Sequence, residues 1–372
     1  MTYSIVKNLL SFIRFRAASS SSTPQIEYNQ KSDHIETYFY RDVKIQSGSD
    51  SDIYTLQCGP SKTSSENDRT PFKCSNTSKP MLLKIIKPKK EESNFDPYDQ
   101  EITAKTVLKS TRPDILTAIN GSPNGGAGCI DRPCLLLRYG GDDLFNRLYT
   151  LQEYEICSIM AQLYEALRYM HSRKFVHRDI KLENIVYDAN INQSAIIDFG
   201  YAKHLMIEKC TEFCGTLTNM YPGILHVRRK TSPLYTTYHG QLADHWSMSI
   251  VFFALIFKMY PQSILIEKYK EKYAYDSLND DKQKKQRIQQ IEELILIREE
   301  ILREAYVLLL RTSILENTPE HKRERAAKQL EYFYEFWREQ YSYISNIRNG
   351  QNPILPLHSF QILVDRLLDC QQ

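Results

Sequence analysis

Residues 176–184 read Val-His-Arg-Asp-Ile-Lys-Leu-Glu-Asn, and fourteen positions after Asn184 comes Asp198-Phe199-Gly200. No other feature narrows the fold and chemistry of the chain as far. An aspartate, a lysine two later and an asparagine five later lie on a loop between apolar stretches, and Ala195 to Ile197 reads as the short strand leading to the second aspartate. Asp198 and Asn184 are hard oxygen ligands of the kind magnesium takes. Moving a phosphoryl group asks little covalent chemistry of a protein. It asks for metal ions to neutralise phosphate oxygens and a carboxylate to orient the incoming hydroxyl. Asp179 is placed to accept that hydroxyl's proton, and Lys181 to offset charge on the moving group.

A lone His-Arg-Asp would carry little weight. HRDIKLEN followed by DFG at this spacing resembles the catalytic and metal-binding loops of the eukaryotic-type protein kinase superfamily. The resemblance extends over roughly residues 36 to 260. It implies an α+β, bilobal kinase-like fold with a small, mainly antiparallel β N-lobe carrying one helix, a larger helical C-lobe and, here, extra C-terminal helices. It also implies ATP and Mg2+ as cofactors and a protein substrate modified at Ser or Thr.

The resemblance assigns further residues. Met81 to Lys87 is similar to the family's third strand, V-A-I-K, so Lys84 would hold the α and β phosphates. Leu82 replaces the usual alanine over the adenine, which tightens that slot or shifts its roof. Ile45 to Tyr54 fits the phosphate-covering loop with only its middle glycine, Gly48, kept, and Ile53 falls at the apolar position that follows. Gln46 and Ser51 replace the outer glycines. Asp50 and Asp52 are expected to set negative charge near the phosphates and to weaken ATP binding. Glu101 is the first choice as carboxylate partner of Lys84. A register two residues along would put Thr103 there, with Val107 instead of Lys105 in the apolar position behind it.

Leu135 to Phe145 resembles the hinge between lobes. Leu137 would be its gatekeeper, Arg138 to Tyr139 would offer backbone groups to adenine, Asp143 would reach the ribose, and Val186 would pack beneath the base. Phe213-Cys214-Gly215-Thr216 through Pro222 is similar to the family's peptide-binding segment. There Thr216 bonds Asp179 and Lys181, the serine/threonine form. The segment's final glutamate is replaced by Gly223. Two residues before Cys214, where relatives with this segment often carry a phosphothreonine, stands Glu212. It is read as a permanent stand-in for phosphate on Arg178, with Thr211 as a rival phosphosite and a solvated glutamate as the bland reading. Asp244 would hold the backbone of the catalytic loop, and Ser249 takes the place of a glycine.

Composition bounds the rest. The chain has 372 residues and a net charge of +3, so nothing global points to nucleic acid. None of its eight cysteines forms a CxxC pair, which reads as free thiols in a reducing, cytoplasmic compartment. No unbroken run of apolar residues is long enough to span a membrane. Residues 1–26 lack Asp and Glu but carry Lys7, Arg14, Arg16 and a serine run. Organelle targeting, contact with a membrane surface and a plain tail all fit them.

The chain divides on this reading into a flexible segment at 1–34, an N-lobe at 35–138, a C-lobe core at 139–265 and a helical region at 266–372. Strands are expected over Tyr38 to Leu56, Met81 to Ile86 and Cys134 to Tyr139, with a polar segment at Gln57 to Lys79 and a Gly-rich loop at Asn120 to Arg132. Helices are expected over Asp99 to Lys109, Tyr154 to His171, Trp246 to Lys258, Lys282 to Arg311 and Pro319 to Ser345. The last two would complete the large lobe or form an appendage for partner docking. Two rivals to an active serine/threonine kinase stand: a pseudokinase or scaffold, and a kinase-fold enzyme acting on a non-protein substrate. The eroded glycine loop fits a divergent lineage, including a bacterial effector working in a host cytosol.

Overall fold

Alternating apolar and polar residues build the first half of the chain, because a strand sends successive side chains to opposite faces. In a computed structural model, the described residues are 37–47, 51–60, 69–73, 80–87, 97–108, 120–122, 133–205, 209–229, 236–261, 263 and 311–370. Strands β1 (Thr37–Ser47), β2 (Ser51–Pro60), β3 (Arg69–Lys73), β4 (Met81–Ile86), β5 (Asn120–Ser122) and β6 (Cys134–Arg138) form one sheet in the order β3-β1-β2-β4-β6-β5. Every pairing in it is antiparallel. One face of the sheet buries Phe39, Met81, Leu83, Ile85, Cys134 and Leu136 together. Helix α1 (Pro97–Leu108) follows β4.

The second half is helical. Helix α3 (Glu153–Ser172) follows the short helix α2 (Leu144–Arg147) and opens on a capping box between Gln152 and Glu155. It buries Ile156, Ile159, Met160, Leu163, Ala166, Leu167 and Met170, a spacing of three and four residues that gives one apolar face. Short strands β7 (Asp142–Asp143), β8 (Phe175–Val176), β9 (Ile185–Asp188), β10 (Gln193–Ile196) and β11 (Lys203–His204) frame the loops carrying the sequence motifs. Strand β12 (Lys209–Cys210), helix α4 (Pro222–Arg229) and strand β13 (Tyr238–His239) lead into helix α5 (Gly240–Phe257). Helix α5 is apolar enough to cross a membrane by length and composition, yet 78% of it is buried inside the fold, which accounts for that composition.

Helices α6 (Glu320–Arg348) and α7 (Ser359–Asp369) close the helical part. They share the core of α3 and α5. On α6, Phe333 and Trp337 meet Phe253 with ring centroids 5.3 and 5.5 Å apart, and the Trp337 indole N–H donates to Ser249 Oγ at 2.9 Å. On α7, Phe360 stacks on His245 at 4.7 Å. Burying a large apolar side chain contributes about 1.5–3 kcal/mol, so these helices are part of the fold's stability. Residues 37–371 form one compact unit.

Several expectations change. The stretch at Gln57 to Lys79 contains the end of β2 and all of β3, and the Gly-rich loop begins with β5, because edge strands need only backbone partners and tolerate polar sequence. Helices α4 and α7 were not anticipated, and α5 starts six residues before Trp246. Cys134, Cys157, Cys210, Cys214 and Cys370 are free, whereas Cys58 is disulfide-bonded, which corrects the reading of that residue as a free thiol. Sequence spacing does not reveal which cysteines a fold brings together. Gly48, Asp50, all but the last residue of the helix expected at Lys282 to Arg311, and the N-terminal 36 residues lie outside the described residues.

Candidate active site

A cleft of about 1040 Å³ opens between the sheet and the helical part. Its sheet side is lined by Ile53, Leu82, Lys84 and Leu137, with Glu101 from α1 and Tyr139 from the connection after β6. Its opposite side is lined by Asp143, Asp179, Lys181, Asn184, Val186, Asp198 and Thr216. Apart from Gly48, every residue singled out above for catalysis, nucleotide or metal therefore borders a single space.

On the sheet side, Lys84 Nζ lies 2.6 Å from Glu101 Oε1 and 2.6 Å from Asp198 Oδ1. Both Lys84 and Glu101 are buried, at 4% and 2% exposed. Burial works against the lysine's charge, but the two carboxylates outweigh it and hold the ammonium above its usual range. Burial pushes the Glu101 carboxyl up, against the pull of Lys84. Burial opposes the Asp198 charge too, and Lys84 overrides it and holds that carboxyl well below the usual range. Thr103, the alternative partner, spends its hydroxyl on the Asp99 carbonyl at 2.7 Å, so the register with Glu101 is the one adopted.

On the other side, Thr216 Oγ1 donates to Asp179 Oδ1 at 2.7 Å, and Lys181 Nζ reaches Thr216 Oγ1 at 2.9 Å and Asp179 Oδ2 at 3.0 Å. Asn184 Nδ2 donates to the Asp179 carbonyl at 2.9 Å and to its Oδ2 at 3.1 Å. Gly215 permits this closeness. Its φ is +99°, in the left-handed region, and a Cβ there would fall 2.5 Å from the Arg178 carbonyl oxygen. Beneath the loop, the wholly buried Asp244 accepts from the backbone N–H of His177 at 2.9 Å and of Arg178 at 2.8 Å, with His171 Nε2 also at 2.9 Å.

The donor set fits a magnesium ion. Asn184 commits its amide N–H group to Asp179, which leaves its carbonyl oxygen for a metal, and Asp198 is kept ionised beside it on the same cleft. Among the described residues no group of three or more His, Cys, Asp or Glu gathers as a metal site of its own.

Two hinge assignments change in detail. The Tyr139 N–H is taken by the Pro80 carbonyl at 3.0 Å, so that group is not offered to a base. Asp143 caps α2, accepting from the Asn146 N–H at 2.9 Å and from its side-chain Nδ2 at 2.6 Å, so in this conformation its carboxylate faces the helix end. Asp52, expected near the phosphates, is not among the residues lining the cleft.

Glu212 meets Arg178, Oε2 to Nη1, at 2.9 Å, and also Lys203, Oε1 to Nζ, at 2.5 Å. Burial opposes its charge, while Lys203, a backbone N–H and Arg178 bring the carboxyl down to about 2. Lys203 was missed in the sequence, where nothing in its spacing marks it. Thr211 is exposed, and its N–H donates to Glu212 Oε2 at 3.2 Å.

A family model described as the protein kinase domain matches residues 70–332. Over 126 residues the chain is 39% identical to the phosphorylase b kinase gamma catalytic chain, liver/testis isoform, of Mus musculus, covering 32% of this chain and 29% of that one. Over 129 residues it is 33% identical to ribosomal protein S6 kinase alpha-4 of Homo sapiens, covering 33% of this chain and 16% of that one. The matches thus span less than a third of these relatives' lengths. Among solved structures, the Cydia pomonella granulovirus kinase PK-1 aligns with a TM-score of 0.45 and 21% identity, covering 60% of this chain and 72% of that chain.

Proposed function

The chain belongs to the protein kinase family, and from that premise we propose that it moves the γ-phosphoryl group of ATP onto serine or threonine hydroxyls of a protein, with magnesium as cofactor. The observation that carries the reading is the three-way contact of Asp179, Lys181 and Thr216. It fixes a carboxylate, a cation and a hydroxyl around the point where an alcohol must meet the phosphate. Lys181 paired with Thr216 is also the combination that resembles serine/threonine members of the family.

In this reading Leu82, Ile53, Leu137 and Val186 hold the adenine between two apolar walls. Lys84, kept charged and braced by Glu101, holds the α and β phosphates. Asn184 and Asp198 would hold the magnesium, which supplies neutralisation of the phosphate oxygens. Asp179 accepts the proton of the incoming hydroxyl while Lys181 offsets charge on the transferred group. Residues 35–138 serve as the N-lobe and 139–265 as the C-lobe core, which the helices after residue 266 complete. Around Glu212 the activation segment is held without modification, with the Glu212 carboxylate in the place of a phosphate on Arg178.

The test is incubation of the full chain with labelled ATP, magnesium and a serine/threonine peptide library. The wild type should label peptide hydroxyls. Asp179→Ala should lower turnover by about 10²- to 10⁴-fold while nucleotide still binds. Nucleotide binding by the wild type without any transfer to peptide would favour the scaffold or non-protein-substrate readings instead.

A further inference from the structure

Asp52 stands near the start of β2, beside the cleft, yet its side chain does not line the cleft. On β2, Ser51, Ile53 and Thr55 line the cleft and Asp52 and Tyr54 do not, as the two-residue period of a strand requires. There Asp52 is only 6% exposed. Its carboxylate accepts from Ser47 Oγ at 2.7 Å and lies 3.2 Å from Lys87 Nζ and 3.3 Å from Lys44 Nζ. Lys87 Nζ also donates to Ser47 Oγ at 3.2 Å, and Lys44 sits over the Tyr54 ring at 5.5 Å. The β1–β2 ladder slips between Lys44 and Gln46. A bulge of this kind re-aims side chains, and here Lys44 ends on the same side as Asp52.

The contacts come from three strands. Lys44 and Ser47 belong to β1, Asp52 to β2, and Lys87 directly follows β4, the strand of Lys84. The hydrogen bond from Ser47 brings the Asp52 carboxyl down to about 2, burial opposes this, and the two lysines assist. The outer glycines of a phosphate-covering loop are absent, Gln46 and Ser51 standing in their places. Side chains at both positions restrict the backbone where glycine would let it adapt to the phosphates. The hairpin's placement must then be held by something else.

We infer that Asp52, with Ser47, Lys44 and Lys87, is a positioning cluster that sets how the β1–β2 hairpin sits over the phosphate end of the cleft. It rests on the ATP-dependent reading above. A bare surface ion pair contributes little and would leave nucleotide binding untouched. A carboxylate that ties three strands at the mouth of the cleft alters the position of the hairpin relative to Lys84. It therefore acts on phosphate-bearing ligands and not on the base.

The experiment measures the affinity of the full chain for MgATP and for adenosine in the wild type, Asp52→Asn and Lys87→Gln. Asp52→Asn should weaken MgATP by about three- to tenfold, the range of one ordinary hydrogen bond, with adenosine affinity unchanged. Lys87→Gln should do the same to a smaller degree and decides the matter if Asp52→Asn fails to fold. Equal losses for MgATP and adenosine, or no loss for either, overturn the inference while leaving the kinase reading intact. A wild type that binds no MgATP overturns both.

Discussion

Asp52 and Glu212 are two carboxylates, each set between two cations and each brought down to about 2. Asp52 is itself nearly dry, but its lysines are half in water, with side chains 44% and 29% exposed. Glu212 is the reverse: its own side chain is 42% exposed, while that of its partner Arg178 is 1% exposed. The difference is what each would leave behind. Without Asp52, Lys87 keeps the Ser47 hydroxyl and Lys44 keeps the Tyr54 ring, with water close to both. Without Glu212, a guanidinium deep under the activation segment loses its carboxylate. Similar depressions of pKa can thus stand for a surface brace in one place and a buried tie in another.

Asp244 is the limiting case, since carboxylate and donors alike are dry. Asp244→Ala should cost on the order of 3–5 kcal/mol in urea denaturation and abolish turnover. A loss below about 1 kcal/mol would break the rule that burial of the partners sets the size of the effect.

Glu212→Ala comes next. Turnover should fall about tenfold, and the activation segment should be nicked faster by protease, with the rest of the fold unchanged. The pH dependence has a definite sign. The folded pKa of Glu212 lies below the ordinary glutamate value, so its contribution is complete above that value and fades as pH falls through about 2. Resistance to nicking should be level from neutral pH down to about 5 and decline only below it. A decline between pH 7 and 5 would refute the tie.

The smallest effect concerns the neutral link behind the site. Ser249→Gly removes the acceptor of the Trp337 indole and should cost about 0.5–1.5 kcal/mol. No change would mean the indole finds another partner.

These contrasts also mark what the sequence could tell. Asp179, Lys181 and Asn184 were legible because they share one tight loop, where spacing along the chain nearly dictates spacing in space. Glu101 was less so, since a helix offers several registers and only Lys84 on another element selects one. Asp52 misled because its nearness to the glycine position was visible while the face it takes was not. That depends on strand parity together with a bulge in the neighbouring strand. Lys203 lies only nine residues before Glu212, yet no spacing rule marks it, whereas the hold of Asp244 on the catalytic loop spans more than sixty residues and was expected only through the resemblance. The buried apolar stripe of α6, Phe333, Phe336, Trp337 and Ile344, was readable as helical, but its partner on α5 was not.

The Trp337–Ser249 contact has a practical consequence. The region matching the family model stops at residue 332, in the middle of α6 and just short of the indole that reaches α5. Trimming the gene at that border would sever the helix between Tyr332 and Phe333 and strip the covering from Trp246, Phe253 and His245. Recombinant work should keep the tail through residue 370, because the boundary of recognisable ancestry and the boundary of autonomous folding fall at different places.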